Sequence, residues 1–183
     1  MKKILIVVIG SLLAGSLSAQ DIVKDTTIAV KDTLAKSAIP VDKQFDYLFK
    51  ILDDKLFVIE ANTLNDKSGS QQIVNSRTNF LRFDSTETII QIADDSGIGP
   101  NGLSGTTIKG TISGWKLKKD VKHKSFSVWT NVLAPGGFFN IYITVNIDGN
   151  AMAIVSNMTS NNITFRGKIV SLSKSKVYIG HHI

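Results

Sequence analysis

From residue 56 onward, apolar and polar positions alternate with a period of two, and Gly, Pro, Asn, Asp or Ser clusters interrupt the alternation every few residues. Period two places successive side chains on opposite faces of a strand, so the pattern predicts a succession of half-buried strands. Ten segments carry it: FVIEAN, TNFLRFD, ETIIQIAD, TTIKGTIS, WKLKKD, SFSVWTNVL, FFNIYITVNI, NAMAIVSN, NITFRGKIV and SKVYIGH. The clearest is 139–147, where Phe139, Ile141, Ile143, Val145 and Ile147 alternate with Asn140, Tyr142, Thr144 and Asn146. One face of that strand is expected in the core and the other in water.

Asp148-Gly149 follows, a hairpin signal because the tight two-residue turn requires positive φ at its central residues. A two-residue loop there sets Met152 opposite Val145 and Ile154 opposite Ile143, on the core face. Before the strands, VDKQFDYLFKILDDK spaces Phe45, Leu48, Phe49 and Leu52 at i, i+3, i+4 and i+7, the stripe of one amphipathic helix, with Asp42 placed as its N-cap. Eight or more antiparallel strands at this spacing must protect their edges. The expected fold is therefore all-β with one N-terminal helix. It is either an antiparallel β-barrel of about eight strands or, as the alternative, a two-sheet sandwich.

The leader changes where this domain is expected to work. MKKILIVVIGSLLAGSLSAQ places two lysines before an apolar run and ends on small residues, the layout of a secretory signal peptide over residues 1–20, cleaved after Ala19 or Gln20. The apolar run is shorter than the ~20 residues a spanning helix needs and holds Gly10, Ser11, Gly15 and Ser16. Residues 21–42 read as a polar tether with a brief KDTTIAV/KDTLAK echo, and residues 43–183 as the helix and β domain. The sequence has no cysteine, which removes disulfides, thiolate metal sites, thiol nucleophiles and the acylated cysteine of a lipoprotein anchor. An exported chain, periplasmic or secreted and not lipid-anchored, is expected.

Charge adds little. The 21 basic residues exceed the 15 acidic ones, and losing Lys2 and Lys3 with the leader lowers the formal charge from +6 to +4. The dense basic stretch KLKKDVKHK reads as a solvated hairpin, because Trp115 and Leu117 alternate with Lys116 and Lys118. No nucleic-acid partner is expected.

Taken in order, FVIEANTL, NFLRFDSTETIIQIAD, a glycine-rich loop, IKGTISGWKLKKD, FSVWTNV, FNIYITVNIDGNAMAIVSN and NITFRGKI resemble the family called domain of unknown function 4251. The resemblance runs over about residues 45–169 and includes Ala151 after the Asp-Gly turn and the closing run Ile163, Phe165, Gly167, Ile169. It implies an exported bacterial protein with a lipocalin-like antiparallel barrel and implies no particular activity. Where relatives carry an L-P-Y-x-G run, this chain has DDSGIGPNG, so no role tied to that aromatic carries over.

Candidate chemistry is sparse. Gly97, Gly99 and Gly102 match the G-x-G-x-x-G spacing, but a pyrophosphate site needs a helix to begin at the last glycine, and LSGTTIKGTI continues as a strand. Loop 94–105 is read as a connection, and Asp94 and Asp95 lack the alternating acids of a calcium loop. His181 and His182 are neighbours on an extended chain and point apart, while His123 sits in the lysine hairpin. No catalytic, metal-binding or cofactor residues are assigned, no cofactor is expected, and the protein is read as a non-enzyme. Two functional readings stay open. One is a binding module for a small apolar ligand or a cell-envelope partner, with Trp115 and Trp129 as the side chains to line a site. The other is a structural or interaction protein with a solid barrel that docks through its N-terminal helix.

Overall fold

A computed structural model describes residues 40–93, 105–157 and 162–181. Residues 40–183 form one compact unit. It contains helix α1 (Val41–Asp53) and nine strands: β1 (Leu56–Asn65), β2 (Gln71–Ile73), β3 (Phe80–Asp84), β4 (Glu87–Ala93), β5 (Gly105–Asp120), β6 (Ser125–Ala134), β7 (Gly137–Asn146), β8 (Asn150–Asn157) and β9 (Asn162–Ser171). Strands β1 and β3 to β9 pair antiparallel in sequence order, and β9 returns to β1, closing an eight-stranded barrel. Short β2 pairs with the end of β1 alone. Closure removes the free edges a sandwich would keep, so the barrel is the fold and the sandwich is not.

Closure depends on one glycine. A Cβ at Gly167 would sit 2.0 Å from the Glu60 carbonyl oxygen and 2.8 Å from the Ala61 Cα. Here β9 meets β1 beside a register shift between Ala61 and Thr63. Such a bulge bends the strand as the sheet curls shut.

The interior is built from the apolar phase of each strand. Phe57, Ile59, Leu81, Phe83, Phe126, Val128, Ile141, Ile143 and Phe165 are almost fully buried. The stripe of α1 completes this core: Phe45, Leu48, Ile51 and Leu52 are buried, and the Phe45 ring stacks on Phe126 at 4.6 Å. The lysine hairpin grips the helix from outside. Lys119 Nζ lies 4.6 Å from the Phe45 ring centroid and 4.9 Å from that of Phe49, and pairs with Asp46 at 3.7 Å. Lys124 pairs with Asp42 at 3.3 Å. Each contact is worth about 0.5–1 kcal/mol at an exposed site. The helix cap differs from expectation: Pro40 is the N-cap, with no side-chain cap bond, and its carbonyl accepts the first helical bond from Gln44 at 3.0 Å. Proline presets φ and lacks an N–H that would be unpaired there, which leaves Asp42 in the first turn.

Three strand expectations are corrected. TTIKGTIS and WKLKKD are one strand, β5, because a bulge between Ile112 and Gly114 absorbs Ser113 without ending the ladder. SKVYIGH alternates like a strand but belongs to an extended C-terminal tail laid over the outside of β1, β3 and β4, where Val177 and Leu172 cover Val58, Phe80 and Ile89. The Asp148-Gly149 hairpin has a three-residue loop: Gly149 takes φ +77° and its N–H bonds the Asn146 carbonyl at 2.9 Å. Val145 therefore faces Ala151 and Ile143 faces Ala153, and Met152 and Ile154 turn outward. One residue of loop length reverses the face of a whole strand.

Candidate functional site

The two tryptophans named from the sequence part company. Trp115 points into the barrel, 5.6 Å from Phe83 and 6.2 Å from Phe57, with its Nε1 buried and unpaired among the described residues. Trp129 points outward and is 41% exposed. Parity decides this: β6 buries Phe126, Val128, Thr130 and Val132, which sends Ser127, Trp129, Asn131 and Leu133 to the other side.

Register then lines up residues across four strands. Lys116, Trp129, Tyr142 and Ile154 form one outward row over β5, β6, β7 and β8. Gly114, Asn131, Asn140 and Ser156 form the next. Beyond it stand Leu133 and Phe138, paired with each other and 49% and 51% exposed. The middle row is short or, at Gly114, has no side chain, so it forms the floor of a groove of about 490 Å³. Trp129 and Tyr142 make the wall, ring centroids 5.1 Å apart at 39°. Lys116 Nζ lies 5.7 Å from the indole centroid, and the Tyr142 hydroxyl reaches Ser127 Oγ at 3.5 Å. Among the described residues, no hydrogen bond engages the side chains of Asn131, Asn140 or Ser156. Asn131 and Asn140 are exposed and Ser156 is half-buried, so these donors and acceptors are open to solvent or a ligand.

A second cleft, about 500 Å³, lies between α1 and the exit of β9, with Tyr47, Ile51, Leu56 and Leu172 as its apolar lining. Its polar groups are already engaged: Lys50 with Asp54 at 2.8 Å, Ser171 with Ser173 at 3.3 Å, and Lys174 over the Tyr47 ring at 5.5 Å. It offers area without direction. The outer groove offers both an aromatic face and polar groups that fix orientation, which is what a selective site needs.

The perturbed acids and bases are exposed, Lys50 beside the second cleft and Asp66 and Asp120 away from both. The Asp54 carboxylate holds the Lys50 ammonium above its ordinary pKa. The Ser68 hydroxyl, followed by backbone N–H groups, holds Asp66 below the usual carboxylate value. His123 does the same for Asp120, through a 2.9 Å contact of its Nδ1 and then its backbone N–H. His181 is exposed. His182, Asp94, Asp95, Gly97, Gly99 and Gly102 lie outside the described residues, and the chain resumes at Gly105 as strand β5. No group of three or more His, Cys, Asp or Glu able to hold a metal ion occurs among the described residues. No described helix is long and apolar enough to cross a membrane.

Tyr142, Asn131, Asn140, Ser156 and Gly114 were not singled out from sequence. The available signal was aromatic residues on the wet phase of two adjacent strands, Trp129 and Tyr142.

The fold and groove define a class: a small antiparallel barrel stoppered by one helix, carrying an aromatic and amide groove on its outer wall. The chain belongs to the DUF4251 family, domain of unknown function 4251, whose model matches residues 41–169. It is similar to a DUF4251 family protein from Bacteroides eggerthii known from its crystal structure, with 30% sequence identity and a TM-score of 0.60 over 72% of this chain and 90% of that one. No curated protein matches it.

Proposed function

We propose that this chain is an exported, non-enzymatic binding module, periplasmic or secreted, whose ligand lies in the outer groove beside Trp129. The observation that carries this reading is the register of β5 to β8, which sets an exposed indole and a phenol beside three unpaired polar side chains. A small apolar ligand held inside the barrel is the weaker version, because aromatic and aliphatic side chains and the stripe of α1 occupy the interior. Docking through α1 is weaker too, since of the stripe it would use, Phe45, Leu48 and Leu52 are buried and Phe49 is half-buried against the core. The non-enzymatic reading is supported by where the perturbed groups stand: Asp66 and Asp120 are in exposed local contacts away from both clefts, and Lys50, which borders the second cleft, is exposed and already paired with Asp54. Catalytic acids and bases are characteristically perturbed within a cleft.

The two tryptophans make the test internal. Protein labelled with 15N gives two indole N–H signals, one from half-buried Trp115, which points into the barrel, and one from exposed Trp129. Titration with an extract of the producing cell's envelope is expected to move the Trp129 signal and leave Trp115 in place. A Trp129 signal that stays fixed, or shifts confined to the Tyr47–Leu172 cleft, would sink the proposal. Export is checked by the mass of the mature protein, expected to begin at Gln20 or Asp21.

A further inference from the structure

Resting on the reading that the outer groove is the binding site, we infer that its ligand is a neutral, linear carbohydrate chain lying across the strands. The rows run perpendicular to the strands, and neighbouring strands lie about 4.8 Å apart, so the floor from Gly114 to Ser156 spans roughly 14 Å. From the Trp129 row to Leu133 and Phe138 is four residues along β6, again about 14 Å at ~3.4 Å per residue. This is a trench for a ribbon of rings rather than a hole for a single compact molecule.

The chemistry of the trench selects among ribbons. A pyranose presents a C–H face that stacks on an aromatic ring and an edge of hydroxyls that both donate and accept. The Trp129 and Tyr142 rings supply the first partner. Asn131, Asn140 and Ser156 supply the second, since amides and hydroxyls also donate and accept. A wholly apolar chain would leave those three side chains dehydrated and unpaired, at a cost. A polyanion would want several free cations, and Lys116, the cation lining the groove, already leans on the indole. An extended peptide adding to a sheet needs an unpaired edge, and β5 to β8 are each paired on both sides.

Two substitutions separate the site from the fold. Trp129→Ala removes the platform. Gly114→Leu fills the floor, and its Cβ has room: the nearest atom is Asn131 Nδ2 at 3.5 Å, an ordinary contact. Calorimetric and NMR titrations would use the neutral hexaoses cellohexaose, mannohexaose, chitohexaose and maltohexaose. At about 10 mM sugar, even a millimolar complex registers. At least one hexaose is expected to bind, shifting the Trp129 indole. Trp129→Ala should weaken that binding about thirtyfold or more, the loss typical of a truncated anchor, and Gly114→Leu should abolish it, with the unfolding midpoint of both variants unchanged. Failure of all four sugars, or binding indifferent to both substitutions, would overturn the inference. If the sugars fail while the envelope extract still moves the Trp129 signal, the ligand class is wrong and the groove stands; if neither moves it, both readings fall.

Discussion

Gln91 is fully buried on the outer face of β4, and replacing it with leucine should cost the protein about 2–4 kcal/mol. Its Nε2 donates to the carbonyls of Thr78 at 2.9 Å and Tyr178 at 2.8 Å. Its Oε1 accepts from the Thr107 hydroxyl at 3.0 Å and from the Gly180 N–H at 2.8 Å. One amide thus ties together the approach to β3, strand β5 and the C-terminal tail, with both donor hydrogens and both acceptor sites in use. Leucine is close in volume and fills the space, so the loss is polar. Four hydrogen bonds at about 1 kcal/mol net each set ~4 kcal/mol as the scale when the tail stays down. If the tail lifts instead, the freed groups rehydrate, and the cost becomes exposure of Val58, Phe80 and Ile89, which Val177 and Leu172 otherwise cover. Full exposure of even one such side chain costs about 1.5–3 kcal/mol, so both routes lead to a similar loss.

Urea denaturation of Gln91→Leu measures the total, and amide exchange at Tyr178, whose N–H bonds the Arg77 carbonyl at 2.8 Å and keeps its acceptor in the variant, identifies the route. Strong loss of protection confined to the tail means it peels away. A loss below about 0.5 kcal/mol with Tyr178 still protected would refute the claim that this amide holds the tail, since surface substitutions without such a role fall in that range.

Phe45→Ala should destabilise by about 3–5 kcal/mol in the same assay, because it empties the stack on Phe126 at the helix end of the barrel; a loss under ~1 kcal/mol would mean α1 does not complete the core. Gly167→Ala should yield little folded protein, since the clash is with the Glu60 backbone rather than a movable side chain; a normal near-ultraviolet circular dichroism spectrum would contradict it. Asp120, held below the ordinary carboxylate value by His123, contributes stability that is present above its unfolded value of about 3.9 and lost as pH falls through its folded one. NMR titration of its carboxyl carbon should find a depressed midpoint, and a midpoint at or above the ordinary value would disprove the turn contact.

The all-β class and the single helix were legible because alternation is a local property, whereas strand number left barrel and sandwich open and the barrel was favoured by the family resemblance. What escaped was decided by contacts between distant segments or by single loop residues. SKVYIGH carries a strand's alternation, yet β9 already pairs with β1, so the ladder has no place for another strand and the segment lies on the wall instead. TTIKGTIS and WKLKKD looked like two strands because Ser113-Gly114 resembles a turn, whereas the pairing of β5 with β6 runs past it as a bulge. Pro40 took the cap from Asp42 because a proline's fixed φ outweighed the side-chain preference.

The groove was illegible for a related reason. Alternation shows that Trp129, Asn131, Tyr142 and Asn140 share the wet phase of two strands, but which of them become neighbours is a matter of register. The three-residue loop at Ile147, Asp148 and Gly149 governs what joins them from β8. With the two-residue loop expected from Asp-Gly, Ile154 and Met152 would enter the core, and the outward face of β8 would instead carry Ala151, Ala153 and Val155. The barrel would lose the small inward residues that fit beside Ile143 and Val145, and the groove would lose Ile154 and Ser156 from its far end. Gly149, free to take φ +77°, therefore sets the packing of the interior and the chemistry of the outer wall together. Substituting it would disturb both at once, whereas Gly114, whose side-chain position is open, alters the wall alone.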